Sequence, residues 1–105
     1  KGPDTCWAQS NPSNALLFEH LQATIQSRRN DSSKSYTASL FKKGINKIAQ
    51  KVGEEAVELV IESKDDNTDL FLNEAADLMY HFIVLLVAKG FTLEDVVAIL
   101  KSREK

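Results

Sequence analysis

The sequence predicts an all-α protein, a bundle of four to five helices, on three observations. Helical periodicity recurs four or five times along the 105 residues, separated by short polar breaks. Nothing in the chain reads as a strand. The third observation is the segment from Thr68 to Lys89, where Leu72, Ala75, Ala76, Leu78, Met79, Phe82, Ile83, Leu85, Leu86 and Val87 cover well over half of a helical circumference. A helix that apolar has to be buried on several sides, and so few helices can hardly wrap it. The bundle is therefore expected to be completed by a second copy, as a homodimer.

Each element has its own signals. Ser13 or Asn14 can cap a first helix with Leu17, Leu21 and Ile25 on one stripe and Phe18 alongside, ending near Arg28 and Arg29, cations suited to a helix C-terminus. Residues 30–34 (Asn-Asp-Ser-Ser-Lys) form the loop that follows. A short helix is expected from Tyr36 to Lys43, ended by Gly44, and a long one from Ile45 to about Ser63. Beyond the polar break Lys64–Asn67, Thr68 can cap the apolar helix, and Gly90 suits the position just past its end. Thr92 with Asp95 three residues on resembles a capping box for a last helix to about Ser102.

Composition narrows the class. The chain is 43% apolar and 27% charged, as soluble globular proteins are. Thirteen basic against fifteen acidic residues give a formal charge of −2, with no broad basic footprint, so nucleic acid is not an expected partner. The longest unbroken apolar run, Phe82 to Ala88, is seven residues, and no secretory signal pattern stands near Lys1; neither membrane insertion nor export is expected. The single Cys6 fits a reducing, cytoplasmic setting and cannot build a zinc site, so no zinc is expected. Because the chain starts at Lys1 and not at Met, it reads as a domain of something longer, with residues 1–14 a tail or linker and 15–105 the folded unit.

The candidate chemistry lies on the two long helices. Lys47, Lys51, Glu54, Glu55, Glu58 and Glu62 fall within an arc of about 100° on the first, opposite an apolar face of Ile45, Ile48, Ala49, Val52, Ala56, Leu59 and Val60. Such a stripe is ordinarily the solvated side of an amphipathic helix. Two features favour a site instead. Glu54, Glu55 and Glu58 are like charges at adjacent helical positions, a pattern that costs an isolated helix about a few tenths of a kcal/mol per pair. On the apolar helix, Glu74 and Asp77 share the one polar strip, with His81 between them in angle. Carboxylates on a buried helix need a partner, and a divalent cation is a good one.

Packed antiparallel, the two helices set Glu55-x-x-Glu58 against Glu74-x-x-Asp77. Four oxygen ligands suit Mg²⁺ or Mn²⁺, hard ions that bind through a few carboxylates and substrate phosphates. Lys43, Lys47 and Lys51 add positive charge for phosphate oxygens. The chemistry this implies is phosphoanhydride hydrolysis.

The pattern resembles the metal-binding motif of the all-α nucleotide pyrophosphohydrolase (MazG-like) superfamily. Within it, residues 35–40 (Ser-Tyr-Thr-Ala-Ser-Leu), Gly44, residues 48–58 (Ile-Ala-Gln-Lys-Val-Gly-Glu-Glu-Ala-Val-Glu) and residues 73–81 (Asn-Glu-Ala-Ala-Asp-Leu-Met-Tyr-His) resemble the phosphoribosyl-ATP pyrophosphohydrolase family, over a stretch from about Ala15 to Arg103. The resemblance implies a Mg²⁺-dependent homodimeric enzyme that converts phosphoribosyl-ATP and water into phosphoribosyl-AMP and pyrophosphate, the second step of histidine biosynthesis. It implies that Glu55, Glu58, Glu74 and Asp77 hold the metal, and that Glu54 is a further ligand or orients the attacking water. Lys51 and Lys47 would then meet phosphates. Tyr36 and Thr37 open a helix in the matched segment, where they either cap it or contribute to the nucleotide pocket. Residues 1–7 (Lys-Gly-Pro-Asp-Thr-Cys-Trp) are similar to the end of phosphoribosyl-AMP cyclohydrolase, a zinc enzyme fused ahead of this domain in many bacteria and plants. That implies a covalently fused cyclohydrolase domain upstream of Lys1.

The remaining features have plainer expectations. His81 reads as a hydrogen-bonded packing residue, His20 as structural or exposed, and Glu62 as solvated. The five phenylalanines read as core or dimer interface. Two rival functions use the same residues: a house-cleaning pyrophosphohydrolase acting on ordinary or damaged nucleoside triphosphates, and a catalytically silent dimerisation module.

Overall fold

A computed structural model describes residues 12–30 and 35–104. Among these residues there are five helices and no strand: α1 (Pro12–Arg28), α2 (Tyr36–Lys43), α3 (Ile45–Glu62), α4 (Thr68–Ala88) and α5 (Leu93–Ser102). The all-α expectation is met, with the four internal breaks where the polar residues and glycines put them. Cys6 and the loop residues 31–34 lie outside the described residues, as do the side chains of Ser13 and Asn14. The chain is already helical at Pro12, ahead of the two expected caps. Proline suits a first helical turn, where its missing N–H would have had no intrahelical acceptor.

The caps explain the boundaries and correct two expectations. Ser35, not Tyr36 or Thr37, caps α2, its Oγ accepting from the Ala38 N–H at 3.1 Å. Gly44 is the single residue between α2 and α3 and has φ +96°, a conformation open to glycine at little cost, which turns the chain sharply. Asn67, not Thr68, caps α4: its Oδ1 accepts from the Leu70 N–H at 3.0 Å. At the other end of α4, Gly90 has φ +86°, Phe91 N–H donates to Leu86 O at 2.8 Å and Gly90 N–H to Val87 O at 2.9 Å. That is the Schellman arrangement. Thr92 and Asp95 form the expected capping box on α5.

The core is small. Ile25, Leu40, Ile48, Ile83, Val84 and Val87 are buried together, and α4 supplies half of them. The five-residue connection 63–67 folds α4 back along α3, and α1 and α2 close against this pair. Two long-range links hold the outer helices. The Gln22 carbonyl accepts from the Leu93 N–H at 2.7 Å and its amide donates to Glu94 at 3.2 Å, which ties α5 to α1. Arg29 donates to the Val87 carbonyl at 2.9 Å, so this cation serves the C-terminus of α4 and not that of its own helix.

The wrapping of α4 is partial. Leu72 is 57% exposed and Met79 42%, while on α3 Val57, Val60 and Ile61 are each exposed by more than half. Ile45, Ala49 and Val60, assigned from periodicity to the buried face of α3, are exposed. Of the phenylalanines, Phe41 packs on the core, whereas Phe18 and Phe91 are exposed. By length and apolar composition α4 could cross a bilayer, which the seven-residue run had not suggested. Its role here is that of a core helix: it carries Glu74, Asp77 and the buried His81, and it packs against α1 and α3.

Candidate metal centre

The α3–α4 pairing brings carboxylates together from both helices. One oxygen each from Glu55, Glu58 and Glu74 lies within 4.8 Å of the others, a set that could hold a cation. Glu55 and Glu58 are one turn apart on α3 and therefore share a face; Glu74 reaches them from the second turn of α4. Glu55 is almost wholly buried, Glu74 half-buried and Glu58 exposed, so the set opens from the helix interface toward solvent.

One oxygen of Glu74 is buried without a hydrogen-bond partner. Burial pushes its pKa above the ordinary glutamate range, and the carboxyls of Glu55, Glu58 and Asp77 push it further. A buried, unpartnered carboxylate oxygen facing two other carboxylates is a costly arrangement unless a cation neutralises it. All-oxygen ligands of this kind fit Mg²⁺ or Mn²⁺.

Basic residues rim the cluster. The Lys51 ammonium lies 3.3 Å from Glu54 and 3.6 Å from Glu55. Burial alone would lower the Lys51 pKa, but the hydrogen bond to Glu54 and the neighbouring Tyr36, Glu54 and Glu55 raise it on balance, so it stays a cation. Gln50 donates to Glu54 at 2.8 Å. That bond, then Lys51, and then the more distant Lys47 hold the Glu54 carboxyl below its ordinary value. Glu54 is thus an exposed, ionised carboxylate standing beside the three-carboxylate set. An open hollow along α3 is lined by Lys51, Glu54, Glu55 and Glu58.

The other expected site residues are placed less uniformly. Asp77 is exposed and its carboxylate is not among the three that converge, although its charge is felt at Glu74. Its main-chain carbonyl accepts from His81 Nδ1 at 2.7 Å. Lys47 is half-buried on the face of Lys51, and Lys43 is exposed at the end of α2. Tyr36 is half-exposed, with its hydroxyl 2.7 Å from His81 Nε2, whereas Thr37 is buried. Glu62 departs from its expected solvation: one of its oxygens is buried without a partner, and burial, with Asp65 and then Glu58, raises its pKa. The Gln50–Glu54 and Tyr36–His81 bonds were not anticipated from sequence. The first has a local signal, an i,i+4 spacing; the second joins residues 45 apart and has none.

An all-α bundle with acidic side chains converging from two adjacent helices beside a lysine defines a class: helical proteins with a candidate divalent-metal site. The chain belongs to the phosphoribosyl-ATP pyrophosphohydrolase family, whose sequence profile matches residues 18–104. It is similar to a histidine biosynthesis bifunctional protein HisIE of Bacteroides thetaiotaomicron, at 48% identity over 97% of this chain and 51% of that protein. It is 45% identical to a phosphoribosyl-ATP pyrophosphatase of Cereibacter sphaeroides over 84% of this chain and 86% of that one. A phosphoribosyl-ATP pyrophosphatase of Gluconobacter oxydans is 49% identical over 85% of this chain and 68% of its own. The chain spans about half the length of the bifunctional relatives and most of the length of the Cereibacter one.

Proposed function

We propose that this chain hydrolyses phosphoribosyl-ATP to phosphoribosyl-AMP and pyrophosphate, cleaving the α–β phosphoanhydride with water, and that it is the C-terminal half of a bifunctional cyclohydrolase/pyrophosphohydrolase acting in the cytoplasm. Membership of the family supports the reaction, and the carrying observation is the unpartnered Glu74 oxygen facing Glu55 and Glu58 across the α3–α4 interface. Glu55, Glu58 and Glu74, with Asp77 at the edge of the strip, would hold Mg²⁺. Bound there, the ion would polarise the phosphoanhydride and neutralise charge as the pyrophosphate leaves. Lys51, with Lys47 behind it, keeps its positive charge at the rim and is suited to receive phosphate oxygens. Glu54, exposed and held ionised by Gln50 and Lys51, is suited to accept a hydrogen bond from the attacking water and orient it. Half-exposed Tyr36, held against His81 one turn past Asp77, is suited to a substrate contact; Thr37, being buried, would contribute by holding α2.

The homodimer belongs to the same proposal. The apolar side chains left open on α3 and α4, among them Val57, Val60, Ile61, Leu72 and Met79, are the surface that a second copy would cover. Sedimentation equilibrium should give twice the monomer mass, and a monomer at micromolar concentration would overturn this part.

The reaction is tested by pyrophosphate release from phosphoribosyl-ATP with and without Mg²⁺, beside ATP and dCTP. Mg²⁺-dependent release from phosphoribosyl-ATP alone is expected. Turnover of ATP or dCTP instead would favour a house-cleaning triphosphate hydrolase, and no turnover of any would favour a silent helical module.

A further inference from the structure

The buried His81 side chain is committed at both ring nitrogens. Nδ1 lies 2.7 Å from the Asp77 main-chain carbonyl, which can only accept, so Nδ1 carries the hydrogen. In the neutral ring Nε2 is then bare, and it lies 2.7 Å from the Tyr36 hydroxyl. The phenol's one hydrogen is therefore given to His81. The two rings meet edge-on at 5.7 Å, and Tyr80 also packs edge-on against the imidazole at 5.4 Å, so the buried histidine has little room to rotate. Tyr36 itself is 51% exposed, on the first residue of α2. Its hydroxyl meets α4 at His81, one turn past Asp77 and two past Glu74, and in the antiparallel α3–α4 pair Lys51, one turn before Glu55, lies toward the same end, where it is paired with Glu54 and Glu55. The phenol oxygen thus stands at the His81 end of the polar strip of α4, on the side toward Lys51, with its hydrogen engaged by the histidine and, on a half-exposed side chain, a lone pair left for an incoming donor.

We propose that His81 is a positioning residue: by taking the Tyr36 hydrogen, it makes the phenol oxygen a fixed hydrogen-bond acceptor for a sugar hydroxyl of the substrate. An acceptor so oriented does not suit a phosphate oxygen, which is an acceptor too, but suits a ribose O–H beside the phosphates that Lys51 receives. The inference rests on the hydrolase reading above. It adds a specificity contact to that reading and explains why a histidine is buried where an apolar residue would pack.

Kinetics of single and double variants, with metal binding measured alongside, tests it. Tyr36→Phe, at a half-exposed position, is expected to raise KM for phosphoribosyl-ATP about three- to tenfold, the worth of one neutral hydrogen bond, with kcat little changed. His81→Leu should match it, and the double variant should be no worse than either single one. His81→Gln, whose amide oxygen can accept from Tyr36, should recover most of the wild-type KM. Mn²⁺ affinity by electron paramagnetic resonance should be the same in all. An unchanged KM in Tyr36→Phe overturns the proposal, as do fully additive effects in the double variant. Imidazole ¹⁵N shifts of the wild type give a readout independent of turnover and of variant folding: Nδ1–H with a bare Nε2 is expected, and an Nε2–H ring overturns the assignment. If the wild type does not hydrolyse phosphoribosyl-ATP at all, the hydrolase reading fails first and the substrate role of Tyr36 fails with it. Wild-type turnover with an indifferent Tyr36→Phe removes only the positioning role.

Discussion

Two acidic regions of this molecule differ by about one helical turn of α3, and they teach different things. Near its middle, Glu55 and Glu58 meet Glu74 of the neighbouring helix within 4.8 Å, with Lys51 alongside. At its end, Glu62 sits near Asp65 in the α3–α4 connection. Both regions contain a carboxylate with one buried, unpartnered oxygen and a raised pKa, caused first by burial and then by neighbouring carboxyls. Acidity and strain are therefore common to both. What sets the first apart is convergence: ligands from two packed helices point to one place, whereas Glu62 and Asp65 share a short stretch of chain.

The strongest way to break this distinction is turnover. Glu58→Gln is expected to cost about 100-fold or more in kcat/KM, corresponding to a few kcal/mol of transition-state stabilisation. Its Tm should be unchanged or higher, since like charges are relieved. Glu62→Gln should stay within about twofold of wild type. Equal losses in both would mean that the acidic face acts as a diffuse field.

Metal-linked stability sharpens the contrast further. At about 100 times its dissociation constant, Mg²⁺ or Mn²⁺ should stabilise the folded protein by about 2.7 kcal/mol, which for a domain of this size raises Tm by about 10 °C. Glu74→Gln should abolish most of that rise, and Glu62→Gln should leave it intact. Calorimetric melts with and without metal decide it.

The smallest effect is on the pH dependence of the metal-free protein, where the two regions should behave alike. Both Glu74 and Glu62 have pKa values above that of an ordinary glutamate. The unfolded chain therefore ionises them more readily, and each costs stability as pH rises from the ordinary glutamate value through its own raised one. Glu54 and Glu94, with lowered values, act in the opposite sense and lose their contribution on acidification. Near neutral pH without metal, Glu74→Gln and Glu62→Gln should each melt slightly higher than wild type. With saturating Mg²⁺ the sign should reverse for Glu74→Gln alone. A stabilised Glu74→Gln under saturating Mg²⁺ would separate this residue from the metal centre.

Much of this was legible in the chain. The five helices and the break at Gly44 follow from local signals, because a capping side chain or a positive-φ glycine acts within a few residues of itself. The acidic pairs were legible for the same reason, since i,i+3 spacing on a helix puts two side chains on one face wherever that helix goes. Local signals can still be assigned one residue away: Asn67 and Ser35 hold caps that Thr68, Tyr36 and Thr37 could equally have offered by type. Arg29 shows the limit, because a cation at a helix end suits any helix C-terminus nearby, and folding delivers it to α4 and not α1.

The sequence by itself determined that the chain is helical, where each helix starts and stops to within a residue or two, and that carboxylates line one face of α3 and one strip of α4. These are short-range matters, decided by backbone hydrogen bonds and by a periodicity of about 3.6 residues. Only the tertiary structure decided that Glu74 meets Glu55 and Glu58 while Asp77 stays outside that set, that Glu62 is partly buried, and that the Tyr36 hydroxyl meets His81 across 45 residues of chain. Those outcomes depend on how two helices rotate about their own axes as they pack, and a rotation of one residue's width moves a side chain by about 100°.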